Sequence, residues 1–93
     1  MDELLTMLKT DLGILSATVY DERLLRYLTS AMESIRREGV ATVDPESPVD
    51  GQLIVMYAAW LWRKRDSMEA MPRMLRYALN NRVLGEKAGG GHG

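Results

Sequence analysis

Ten consecutive apolar residues, Leu53-Ile54-Val55-Met56-Tyr57-Ala58-Ala59-Trp60-Leu61-Trp62, run without a polar position between them. The run is too short to cross a bilayer, which takes about 20 residues of helix. A helix that is apolar all round has to be surrounded on every side. In a chain of 93 residues the remaining helices can hardly cover it completely. Trp60 and Trp62 lie about 200° apart at a helical step of about 100° per residue, so both cannot enter one small core. One of them, or Tyr57, is expected to face a crevice or a neighbouring chain, because interfaces concentrate such aromatics. The spacing predicts a helix over about Asp50–Asp66. Asp50 can cap it, and Arg63-Lys64-Arg65 stand where cations complement the helix dipole.

Three further segments read as amphipathic helices. In Asp2–Leu12, the residues Leu4, Leu8 and Leu12 repeat at helical spacing with Leu5 beside them. Asp2 and Glu3 occupy the first turn, and Gly13 is a natural stop. In Asp21–Glu38, Leu24, Leu28, Ala31, Met32 and Ile35 form one stripe. Asp21 is a candidate cap, and Arg36, Arg37 and Gly39 close the element. The last helix is expected over Pro72–Leu84, started by its proline, striped by Leu75, Ala78, Leu79 and Val83, and stopped by Gly85.

Residues 40–50 break the helical pattern. Val40, Thr42 and Val43 favour extended backbone, and Pro45 and Pro48 exclude a helix interior. A loop is expected, with a short strand or hairpin arm as a candidate contact element. The fold class is therefore all-α: a small bundle of three to four helices with a Pro-containing loop or arm between the second and third main helices. Residues 1–87 form one domain. Residues 88–93, Ala-Gly-Gly-Gly-His-Gly, are expected to be a flexible tail.

Composition narrows the chemistry. There is no cysteine, so disulfides, thiolate nucleophiles and cysteine metal sites are excluded. His92, the one histidine, lies among tail glycines and makes neither a triad nor a metal site. Neither a phosphate loop nor a catalytic pairing is present, so no cofactor and no enzymatic activity is expected. An enzyme would have to rely on carboxylates alone. Seven methionines and no phenylalanine give a core, or a contact surface, that repacks easily. The opening Met1-Asp2-Glu3-Leu4-Leu5 is too acidic for a signal peptide, and the expectation is a soluble protein made in the cytoplasm.

The net charge of −1 argues against a dedicated nucleic-acid binder. Its distribution is more informative. Residues 1–50 hold five basic and ten acidic residues, whereas residues 60–84 hold six basic and two acidic ones. An acidic flank on one copy can therefore attract a basic flank on another.

The order of elements resembles the head–tail connector (adaptor, or head-completion) proteins of tailed bacteriophages, over about residues 2–84. The leading helix reads Asp2-Glu3-Leu4-Leu5-Thr6-Met7-Leu8-Lys9-Thr10-Asp11-Leu12-Gly13-Ile14. A helix of the type Asp21-Glu22-Arg23-Leu24-Leu25-Arg26-Tyr27-Leu28-Thr29-Ser30-Ala31-Met32-Glu33-Ser34-Ile35 follows, then a Pro-containing loop. The apolar helix ends Tyr57-Ala58-Ala59-Trp60-Leu61-Trp62-Arg63-Lys64-Arg65, and Met71-Pro72-Arg73-Met74-Leu75-Arg76-Tyr77-Ala78-Leu79-Asn80 opens the closing, proline-led helix. These are patterns of apolar spacing rather than chemical signatures. The loop Val40–Val49 departs from the family in lacking a Thr/Gly segment before an arm.

The resemblance implies a homo-oligomeric ring, often of twelve copies, at the portal vertex of the virion. It would bind the portal protein on one side and a tail-proximal stopper or tail-completion protein on the other. Packaged DNA would pass through its channel without sequence-specific binding, and no membrane would be involved. Candidate subunit or portal contacts are Tyr57, Trp60, Trp62, Arg63, Lys64, Arg65, Arg73 and Arg76, the arm residues Val40, Val43 and Pro45, and a docking tail from Gly85. The competing readings are a non-viral helical adaptor and a small helix-turn-helix regulator. For the latter, Arg73–Arg82 is the best recognition helix, although it follows a proline turn instead of a tight glycine turn.

Overall fold

The computed structural model describes residues 1–90. It contains α1 (Asp2–Leu12), α2 (Asp21–Arg37), α3 (Pro48–Lys64) and α4 (Arg73–Gly90), and no strand among the described residues. The all-α bundle expected from the periodicity is the fold, with the Pro-containing loop between α2 and α3.

α3 is the axis of the bundle, and α1, α2 and α4 all pack on it. α2 runs antiparallel to it, so that Tyr20 and Tyr27 near the start of α2 meet Trp62 near the end of α3. α4 is also antiparallel to α3, and its Arg82 returns to Asp50 in the first turn of α3. α1 lays Leu4 against Gly51, where a Cβ would stand 3.2 Å from the Leu4 methyl. The core is built from Leu4 and Leu8 of α1, Leu24, Leu28, Ala31 and Ile35 of α2, the buried face of α3, and Leu75 and Leu79 of α4.

Burial of the apolar helix is more complete than its all-round apolarity suggested. Leu53, Ile54, Val55, Tyr57, Ala58 and Ala59 are buried within the chain, and Met56, Trp60, Leu61 and Trp62 are half-buried. Three helices, together with the turn after α3, enclose most of its circumference. A large uncovered face on this helix is therefore not what the fold presents.

Helix ends follow capping chemistry, with differences of detail. Gly13 closes α1 in the left-handed region at φ 73°. α2 begins at Asp21 as expected, but Tyr20 holds the cap position without a side-chain bond. Asp21 instead lies 2.8 Å from the Nζ of Lys9, a buried lysine that ties α1 to α2 as a charge contact without hydrogen-bond alignment. α3 starts two residues earlier than expected. Ser47 is the cap, its Oγ accepting from the Asp50 N–H, and Pro48 takes the first helical position.

α4 continues through Gly85 to Gly90 rather than stopping at Leu84. A helical glycine costs only about 1 kcal/mol relative to alanine, and polar contacts to the α2–α3 loop hold this second half of α4. Residues 88–90 of the expected tail are thus helical, while His92 lies outside the described residues.

The α2–α3 loop is not an extended arm. Hydrogen bonds from Val43 N–H to Val40 O, Glu46 N–H to Asp44 Oδ1 and Ser47 N–H to Asp44 O fold it into successive turns. Val40 and Val43 are buried in the core and Pro45 is half-buried. Their apolar side chains gain more by closing the end of the bundle than by standing in water, so Val40 and Val43 offer no free contact surface.

Gly39, which leads into this loop, has φ +121°, and a Cβ there would sit 3.4 Å from a methyl of Val83. Gly39→Ala is expected to lower stability by about 1–3 kcal/mol, the usual cost of such backbone for a residue with a side chain. Urea denaturation followed by helical circular dichroism measures it.

Candidate protein-interaction surface

The aromatic candidates on α3 are occupied by their own chain. Trp62 stands edge-to-face with Tyr20 at 5.5 Å and with Tyr27 at 5.8 Å, and the Arg65 guanidinium lies 3.8 Å from its ring centre. Arg65 also donates to the Trp62 carbonyl. Trp60, on the other flank, packs edge-to-face with Tyr57 at 5.5 Å under the Lys64 ammonium at 4.3 Å. Its indole Nε1 donates to the Glu69 carbonyl at 3.0 Å, which pins the turn between α3 and α4. The roughly 200° between the two rings is satisfied because each flank of α3 has an intramolecular neighbour. Tyr57 is buried, with only its edge lining a shallow depression beside Ser34, Arg37 and Glu38.

The basic candidates remain largely outward. Arg63, Lys64 and Arg73 are exposed and have no ion-pair partner among the described residues. Arg65 pairs with Asp66 at 3.6 Å and Arg76 with Glu38 at 3.5 Å. Gly85 is exposed on α4 with open space around its Cα.

Two features escaped the sequence reading. The first is a polar clasp that anchors α4. Arg82 donates from Nε to Asp50 Oδ1 at 2.7 Å and from a terminal nitrogen to Asp50 Oδ2 at 3.2 Å. Asp50 Oδ2 also accepts from the Asp44 N–H at 2.9 Å. Thr42 donates through its N–H and its hydroxyl to Glu86 Oε1 at 3.1 and 2.6 Å. Loop, α3 and α4 are joined by these bonds.

Burial pushes the Asp50 carboxyl up, but the bonds from Arg82 and Asp44 and the guanidinium charge outweigh it and hold the group below the ordinary carboxylate range. The Asp50 bond raises Arg82. The Thr42 hydroxyl and N–H hold Glu86 low. A carboxylate whose folded pKa is depressed contributes stability that is complete above the unfolded pKa, about 3.9 for Asp, and is lost as pH falls through the folded value. Thermal melts taken downward from about pH 6 should therefore lose stability below about pH 4, and Asp50→Asn should flatten that slope.

The second feature is the outer side of α4. Leu75 and Leu79 point into the core, while Met74 (71% exposed), Tyr77 (57%) and Leu84 (63%) point away from it. With exposed Asn81 and Ala88 they recur at intervals of three and four residues, the a/d spacing of a helix–helix seam. α4 packs chiefly on α3, and among the described residues nothing covers this stripe. The signal was present in the sequence as the Met74–Tyr77–Leu84 spacing, but the stronger Leu75–Leu79 stripe beside it defined the helix.

Between α3 and α4 an open, mainly apolar groove is lined by Pro48, Val49, Gln52, Leu53, Ala78 and Arg82. Among the described residues no group of three His, Asp or Glu side chains is placed to hold a metal ion, and no helix is long and apolar enough to cross a membrane. Such a surface suits contact with another macromolecule through apolar and cationic groups. Comparison with protein-family models, curated proteins and solved structures gives no match to this chain.

Proposed function

We propose that this chain is a structural assembly subunit, one copy of a ring that joins the portal to the tail of a bacteriophage particle and extends the DNA channel. The observation that carries an assembly role is the outward stripe of Met74, Tyr77 and Leu84, on a helix whose opposite face is locked into the core. Exposed apolar side chains aligned along one rigid helix suit a partner helix or groove. The phage setting rests on the resemblance of residues 2–84 to connector proteins.

In this reading the partners are further copies of the chain, the portal protein and a tail-proximal completion protein, and the place of work is the portal vertex of the virion. DNA passes through without base contacts. The exposed cations Arg63, Lys64 and Arg73 serve protein contact in the main.

Sedimentation velocity of the purified protein, alone and mixed with a portal ring, tests the proposal. The expected result is a multi-copy assembly that co-sediments with the portal. A chain that stays monomeric in both samples overturns the ring. A salt-sensitive shift of duplex DNA without self-association would favour the regulator reading instead.

A further inference from the structure

The ends of α3 carry opposite charge. At its C-terminal end Arg63 and Lys64 are exposed, and antiparallel α4 begins at the same end of the bundle with exposed Arg73; Met68 (94% exposed), in the intervening turn, and Met74 are exposed there as well. At its N-terminal end the loop meets the start of α1, where Asp2, Glu3 and Glu46 line one depression together with Met1 and Pro45. Met7 lies next to Glu3 on the same outer side of α1. The two sites are separated by most of the 17-residue α3, roughly 20 Å at about 1.5 Å per residue. None of these six charges has an ion-pair partner among the described residues.

We propose that copies of this chain associate head to tail, the basic pole of one (Arg63, Lys64, Arg73) docking on the acidic pole of the next (Asp2, Glu3, Glu46). The inference rests on the assembly reading above and names the surfaces that meet. Each pole combines charge that makes no ion pair among the described residues with exposed methionine. Methionine adapts its shape to a partner, and the opposed charges set register and rate of encounter. Because the poles differ and lie at opposite ends, the contact is heterologous. It propagates from copy to copy and closes only if the rotation between neighbours permits a ring. Two copies meeting through like poles would bring equal charges together, so a symmetric dimer through either pole is disfavoured.

The test uses two full-length variants. Arg63→Glu/Lys64→Glu/Arg73→Glu makes both poles acidic, and Asp2→Lys/Glu3→Lys/Glu46→Lys makes both poles basic. At a concentration where the wild type is oligomeric by sedimentation, each variant alone should run as a monomer. Their equimolar mixture should regain the oligomer, since acidic and basic poles again alternate. Restoration on mixing also shows that both variants are folded. The wild-type oligomer should dissociate towards about 1 M salt, where screening reaches about 3 Å.

Variants that associate like the wild type, or a mixture that stays monomeric while the wild type assembles, overturn the pole contact and leave the assembly reading standing. A wild type that neither self-associates at low salt nor joins a portal ring overturns both.

Discussion

Asp50→Ala is expected to cost about 3–5 kcal/mol, the typical loss when one partner of a buried ion pair is removed. Asp50 is 3% exposed and makes two bonds to Arg82, whose side chain is itself largely buried. Without the carboxylate, the largely buried guanidinium keeps only Glu86, 3.6 Å away, and the Thr42 hydroxyl as partners, and the Asp44 N–H loses its acceptor as well. A domain of this size has a total stability of roughly 5–14 kcal/mol, so the variant sits near the edge of folding at ambient temperature. The loss should concentrate in α4. Amide exchange should rise first along Arg82–Gly90, because only the contacts of Glu86 and Arg82 with Thr42 then hold that half of the helix to the loop. Equilibrium urea denaturation gives the magnitude and hydrogen exchange the location.

A second large effect separates the two sides of α4. Leu79→Ala removes a fully buried side chain and should cost about 2–5 kcal/mol in transfer free energy and cavity formation. Leu84→Ala, five residues on, removes a side chain that is mostly in water, and its effect on the isolated chain should stay within about 0.5 kcal/mol. Thermal melts of the two variants at a concentration low enough to suppress association check the contrast. Equal losses would mean that Leu84 is covered within the single chain, and the outward stripe would lose its basis.

The main elements were legible in the sequence because local signals agree with the tertiary structure there. Leu4–Leu8–Leu12 with Gly13, and Leu24–Leu28–Ala31–Ile35 with Gly39, carry both period and stop, and α1 and α2 fall within a residue of expectation. Long-range chemistry was not legible. Asp50 reads as a cap by type and position, but its carboxylate is used by an arginine 32 residues further on, and the cap falls to Ser47. Gly85 reads as a stop, yet the helix runs through it because Arg82 and Glu86 on either side are anchored to Asp50 and Thr42.

The exposed surface was the least legible part. A continuous apolar run implied an uncovered helix, but coverage depends on where the other helices and the turn at Glu69 lie, and pairwise stacking absorbs both tryptophans. The loop valines were candidates for an arm because β-branched residues beside prolines favour extended chain. Burial decided otherwise. The apolar residues left outside the core, Met74, Tyr77 and Leu84, belong to a helix whose core stripe had already accounted for its periodicity.

The outward side of α4 is the surface on which the assembly account depends. Sedimentation equilibrium of the wild type and of Met74→Ser/Tyr77→Ser/Leu84→Ser, over a range of concentrations and with circular dichroism as a control for folding, tests it most directly. The expected result is a wild-type mass that climbs with concentration and a variant that keeps its helical content but remains at the mass of one chain. Identical mass curves for the two proteins would contradict it.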